Sequence, residues 1–159
     1  MTLLHLLLPA LLVLAPTPTP PRPGVEAAAV VHAWDQRRAQ AWAAGDVAAL
    51  GALYVPGSAA GRADLRMLRA WRSRDLRVTG MHCQLLSVVV RRSSSTQLDL
   101  LVTDRLVGGV AVGRGVRRPL PRDRSSTWRL LLVRGAGEWL VAQASPVRTP
   151  SSTVRSRNE

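Results

Sequence analysis

Two side chains in this sequence carry the clearest prospect of chemistry, Asp104 and His82. Asp104 falls in phase with Leu98, Leu100 and Val102, so regular strand alternation turns it toward the apolar side. A carboxylate there must be paired, hydrogen-bonded or protonated. In a pocket it can serve as an acid or base of tuned pKa. The alternatives for Asp104 are a structural ion pair with an arginine, or a strand end already clear of the core. His82 falls in phase with Leu76 and Val78 and could face the same space. A His–Asp pair suits proton abstraction beside a carbonyl, or elimination of water. A structural or exposed histidine is the alternative at 82, and His32 reads as exposed.

Tyr54 follows a short helix, from which its hydroxyl could reach a ligand, and Asp35 could line the same cavity. Five of the six aromatic residues are tryptophan. Each is a large apolar body with one N–H, suited to a core or a pocket wall. Trp34 and Trp128 are the candidates for pocket lining, with Tyr54. Arg62, Arg66, Arg69 and Arg72 recur at helical spacing and make a basic stripe. Such a stripe is either a solvated helix face or a contact for an acidic partner or membrane surface. The glycine-rich run at 108–115 lacks the Lys-Ser/Thr of a phosphate loop, and no helix follows it. There is no Ser-His-Asp signature and no metal-ligand spacing, so neither metal nor cofactor is expected.

All 22 basic residues are arginine, and the formal net charge is +12. A basic surface attracts nucleic acid, anionic lipid or acidic polymers without choosing among them. Nucleic acid is disfavoured, because no recognition motif is present and the arginines are scattered. The single cysteine, Cys83, excludes an intramolecular disulfide and a cysteine-based zinc cluster. It reads as buried and inert.

The elements must be those of one domain, since 159 residues are too few for two comfortable ones. Residues 1–15 are almost wholly apolar, about the length of a signal-peptide core and short of the ~20 needed to span a bilayer. They read as a leader and imply export. A mispredicted start and a cytoplasmic domain is the alternative. Residues 16–24 form a proline-rich linker, the domain occupies 25–146, and the tail at 147–159 reads as disordered.

Within the domain, helices are predicted at 25–44, 47–53 and 60–74. On the first, Val31, Trp34, Ala41 and Trp42 fall near one face, with Gln36, Arg37, Arg38 and Gln40 mostly on the other. Asp46 and Ser58 are placed to cap the second and third. Strands are predicted at 76–91, with a bulge at Gln84-Leu85, and at 97–106, 127–133 and 139–144. Residues 107–124 read as irregular. Helices grouped before antiparallel strands argue an α+β fold with the helices packed on one face of the sheet.

Residues 33–54, AWDQRRAQAWAAGDVAALGALY, resemble the opening of the nuclear-transport-factor-2-like (SnoaL-like) superfamily. That opening is a long helix, Gly-Asp, then a short helix ending in Leu-Tyr. Pro56-Gly57-Ser58, the third helix, Trp128-Arg129 and the run from Glu138 to Val141 also fit, so the resemblance spans about residues 27–145. The wording is most similar to exported members from high-GC bacteria. The resemblance implies a cone, a curved sheet wrapped by helices and open at one end (a cystatin-like roll). Trp34, Asp46 and Tyr54 then read as fold determinants. Members include dehydratases, isomerases, polyketide cyclases, transport adaptors and binding domains. Enzymatic members place an Asp, often with His, inside the cone.

Three readings follow. The first is a non-catalytic, exported ligand-binding or interaction domain, taking a small apolar ligand or pairing with itself or a protein partner. The second is a dehydratase, isomerase or cyclase using Asp104 with His82 or Tyr54. The third is a basic envelope-associated protein that binds anionic polymer or lipid.

Overall fold

A computed structural model of the chain describes residues 23–121 and 123–147. The apolar leader, most of the proline-rich linker and nearly all of the tail lie outside the described residues.

Helix α1 (Pro23–Ala44) starts two residues before the predicted position, with proline in the first turn, where a missing N–H costs nothing. It buries Ala27, Val31, Asp35, Ala41 and Trp42. Asp46 then caps α2 (Val47–Gly51), its carboxylate accepting from the Ala48 and Ala49 N–H groups, each at 2.9 Å. Ser58 caps α3 (Ala59–Arg72) by accepting from the Gly61 N–H at 3.1 Å.

The chain then lays down β1 (Arg77–Ser93), β2 (Gln97–Gly113), β3 (Val116–Pro119), β4 (Ser126–Gly135) and β5 (Glu138–Pro146). All pairings are antiparallel, in the order β1-β2-β4-β5, with β3 also pairing β2. The fold is α+β, three helices followed by a five-stranded sheet. Against this sheet Leu50, Leu68, Leu100 and Leu132 are 1% exposed or less. Each contributes about 1.5–3 kcal/mol by leaving water.

The stretch at 107–124 is more regular than its composition suggests. β2 runs through Gly108 and Gly109 to Gly113, and β3 folds back on it. Gly108 and Gly109 take φ of +71° and +73°, and Gly80 on β1 takes +69°. Glycine adopts this region without steric cost. Both strands therefore bend while pairing continues on either side, from Thr79↔Val110 to Met81↔Gly108. The bulge expected at Gln84-Leu85 lies one step later, where the register shifts between Leu85 and Ser87.

The predicted second helix also stops early. Leu53 and Val55 turn their backbones to β5 instead. Val141 donates to the Leu53 carbonyl and accepts from the Val55 N–H, both at 3.0 Å. This short parallel bridge pins the intervening Tyr54 against the sheet.

Candidate functional site

Between α1, α3 and the sheet lies a cavity of about 400 Å3. Helix α1 lines it with Val31, Trp34, Asp35 and Arg38, and α3 with Ala60, Ala63, Asp64 and Met67. Both sets recur at 3, 4 and 7, the spacing of one helix face. Strand β2 contributes Asp104 and Leu106, and β4 contributes Ser126, Trp128 and Leu130, each at every second residue.

One side of the cavity is built on Asp64, which is 8% exposed. Its carboxylate accepts four hydrogen bonds. Arg38 donates from Nε at 2.7 Å and from its terminal nitrogen at 2.8 Å. The Tyr54 hydroxyl donates at 2.7 Å and Trp42 Nε1 at 3.2 Å. The arginine also lies over the Trp42 ring, 5.9 Å from its centroid. Burial alone would lower the pKa of the Arg38 guanidinium, but the Asp64 hydrogen bond and charge outweigh it and raise the pKa. Burial, and then the Asp64 charge, push the Tyr54 phenol up, so Tyr54 is a neutral donor at physiological pH. Trp34 meets Tyr54 edge-on at 5.5 Å and donates its N–H to the Leu53 carbonyl at 3.0 Å.

The other side carries carboxylates without such partners. Asp35, 5% exposed, accepts the Cys83 backbone N–H at 2.8 Å. Asp104 stands opposite Ser126 across β2 and β4. Burial first, and then the Asp35 charge, raise the Asp104 pKa, while the Ser126 hydroxyl pulls it back. The Cys83 thiol is pushed up by burial and by Asp35, so it stays protonated and unreactive at neutral pH.

The structure thus brings Asp104, Tyr54, Trp34 and Trp128 to one cavity. It does not bring His82, which is exposed. The positive-φ bend at Gly80 changes the strand phase upstream of His82, so Val78 and Met81, three residues apart, are both buried. Cys83 therefore takes the inward place that simple alternation assigns to His82. Arg38 is a second correction. Expected near the outer face of α1, it turns inward because Asp64 waits there. Arg62, Arg66, Arg69 and Arg72 lie along the exposed side of α3 and line no part of the cavity.

Sequence pattern alone does not single out Asp64 or Asp123. Asp64 carries a signal all the same, since it shares the buried helical face of Gly61 and Leu68. A carboxylate in that position calls for a cationic partner. Asp123 sits in a segment with no periodicity to read.

The raised pKa of Asp104 makes stability depend on pH. A carboxyl whose pKa is raised by folding stabilises the fold fully below its unfolded pKa. That contribution is lost as the pH climbs through the folded value. Asp104→Asn is therefore expected to raise Tm by about 2–4 °C near pH 7. This corresponds to about 0.5–1 kcal/mol for a half-exposed group partly screened by water. The gain should vanish below about pH 4, where the native carboxyl is protonated. Thermal melts of both proteins across that range test it.

No family model matches the chain, and no curated protein sequence matches it. Solved structures do. The intermembrane-space region of the chloroplast protein ARC6 superposes with a TM-score of 0.58 at 13% identity, covering 82% of this chain and all of that one. Aln2 from a Streptomyces species follows at 0.52 and 16% identity, covering 80% of this chain and 93% of its own. The chain shares the α+β fold of these structures, three helices followed by an antiparallel sheet. A nuclear-transport-factor-2-like protein from Novosphingobium aromaticivorans superposes less closely, at 0.48 and 17% identity over 81% of this chain and 86% of its own. In this domain Tyr54 and Asp46 hold the fold, one through Asp64 and the other through the α2 cap.

Proposed function

We propose that this domain is a binding module for a small, largely apolar molecule held inside the cone. The cavity carries the reading. Its 400 Å3 falls in the range of small-molecule sites, and Trp34, Trp128, Leu106, Leu130 and Val141 give it apolar walls. Its charged groups, Asp35 and Arg38 on α1, Asp64 on α3, Asp104 on β2 and Asp123 before β4, would orient a ligand rather than solvate it. The apolar leader supports placing the protein outside the cytoplasm.

Native mass spectrometry of the protein secreted by its own host tests both parts. The expected result is a mass lacking the N-terminus and carrying a retained small molecule. A full-length intracellular chain overturns the location. A chain that neither retains nor takes up any apolar molecule overturns the binding role.

A catalytic reading keeps one specific observation in its favour, the raised pKa of Asp104 inside the cavity. Such a carboxyl suits the acid–base step of a dehydratase, isomerase or cyclase. Its partners are reduced, because His82 is outside and Tyr54 already donates to Asp64. Turnover abolished by Asp104→Asn in a folded protein would replace the binding reading with this one.

A further inference from the structure

The chain has 10 acidic residues against 22 basic ones, yet four of the ten, Asp35, Asp64, Asp104 and Asp123, line this one cavity. Arg38 is the single basic residue among the described lining residues. Its guanidinium is engaged by Asp64 through two hydrogen bonds, so the pair is close to neutral toward a ligand. Three carboxylates are left without a cation among the described lining residues.

We infer that the cavity selects a small amphipathic cation, an apolar body carrying one protonated amine that sits against Asp35 and Asp104. The inference rests on the binding-module reading above and adds the charge of the ligand.

Asp35 is the strongest support. It is 95% buried by its 5% exposure. Its carboxylate accepts the Cys83 N–H and is hydrogen-bonded by the Cys83 thiol, yet no cationic side chain among the described residues pairs with it. A buried carboxylate that faces a cavity without a cationic partner is stabilised by a cation on the ligand. Asp104 lies on the same inward face as Cys83, since Cys83 pairs with Leu106 and Leu85 with Asp104. The two carboxylates therefore approach one end of the cavity from α1 and from β2.

A metal ion does not suit this end. No group of three His, Cys, Asp or Glu among the described residues is placed to hold one. Among the described lining residues an anionic ligand finds no unengaged cation, because Arg38 is committed to Asp64. An ammonium finds carboxylate acceptors beside the aromatic rings of Trp34 and Trp128, which also attract cations. The raised pKa of Asp104 has a related origin, burial and then the neighbouring charge of Asp35, which a bound cation would offset. The protein as a whole is strongly positive and repels amines. Any preference for one must arise locally.

The test is isothermal titration of the full chain with three probes that share one apolar body: para-butylbenzylamine, para-butylbenzyl alcohol and para-butylbenzoic acid. Near pH 7 the amine is expected to bind at least about tenfold more tightly than the alcohol, and the acid most weakly. In Asp35→Asn/Asp104→Asn the advantage of the amine over the alcohol should fall below about threefold. The amide oxygen introduced by Asp35→Asn can still accept from the Cys83 N–H, and the circular dichroism spectrum checks that the variant folds. Alcohol or acid binding as tightly as the amine overturns the cation selectivity and leaves the binding module standing. An amine advantage that survives the double substitution overturns the assignment to these carboxylates. Failure of all three probes to bind overturns both this inference and the binding module.

Discussion

Asp64→Ala is expected to lower the unfolding free energy by about 3–5 kcal/mol, the usual cost of stripping one member from a buried ion pair. The mechanism is visible in the four hydrogen bonds that Asp64 accepts from Arg38, Tyr54 and Trp42. Removing the carboxylate leaves a guanidinium charge facing the cavity, with an unpaired hydroxyl and an unpaired indole N–H beside it. Each neutral orphan costs about 1–3 kcal/mol when buried. The hydroxyl and the indole lie on different elements from Asp64, so the loss also loosens the docking of α1 and α3. Urea denaturation measures the effect. The double variant Arg38→Met/Asp64→Leu should recover a substantial part of it, because an apolar pair of similar volume carries no stranded charge. A single variant as stable as the parent would mean that water already solvates Arg38 and that the network does not hold the helices.

Gly108→Ala is the second large effect, at about 2–5 kcal/mol. Two terms act together. Gly108 has φ of +71°, a region that costs an L-residue about 1–2 kcal/mol. A Cβ there would also run into the Gly80 carbonyl oxygen, backbone against backbone, where neither strand can give way. Gly137, in the β4–β5 turn, separates the terms. Its φ is +88°, but a Cβ there meets nothing within 4 Å. Gly137→Ala should therefore cost only the conformational part, about 1–2 kcal/mol. The two variants are compared by chemical denaturation. Equal losses would show that the strands separate freely at Gly80 and that the bend is not rigid. The bend matters beyond stability, because it sets which β1 side chains enter the cavity.

The parts of this protein that are legible in the sequence are those governed by near neighbours. The spacing of Val31, Trp34 and Trp42 identifies α1, and Gly45-Asp46 identifies its end and the cap that follows. The alternation of Leu98, Leu100 and Val102 is enough to turn Asp104 inward, because the first half of β2 is regular and strand side chains alternate strictly. The order of helices before strands is enough for the α+β class. Each of these depends on sterics and hydrogen bonds within a few residues, which composition and period record directly.

Other features are decided only when the elements dock. His82 lies outside because one positive-φ residue at Gly80 shifts the phase of everything after it, and a glycine in a sequence does not declare its φ. Gly108 and Gly109 read as part of an irregular segment, yet they bend a strand that continues, because β1 and β3 supply hydrogen-bond partners on both sides. Arg38 and Asp64 are 26 residues apart, on helices whose relative placement neither sequence segment specifies. Their pairing follows from the packing of α1 and α3 against one sheet, and so does the gathering of Asp35 and Asp104. Local periodicity assigns a residue to a face, whereas the meeting of two faces depends on the register and docking of the whole chain.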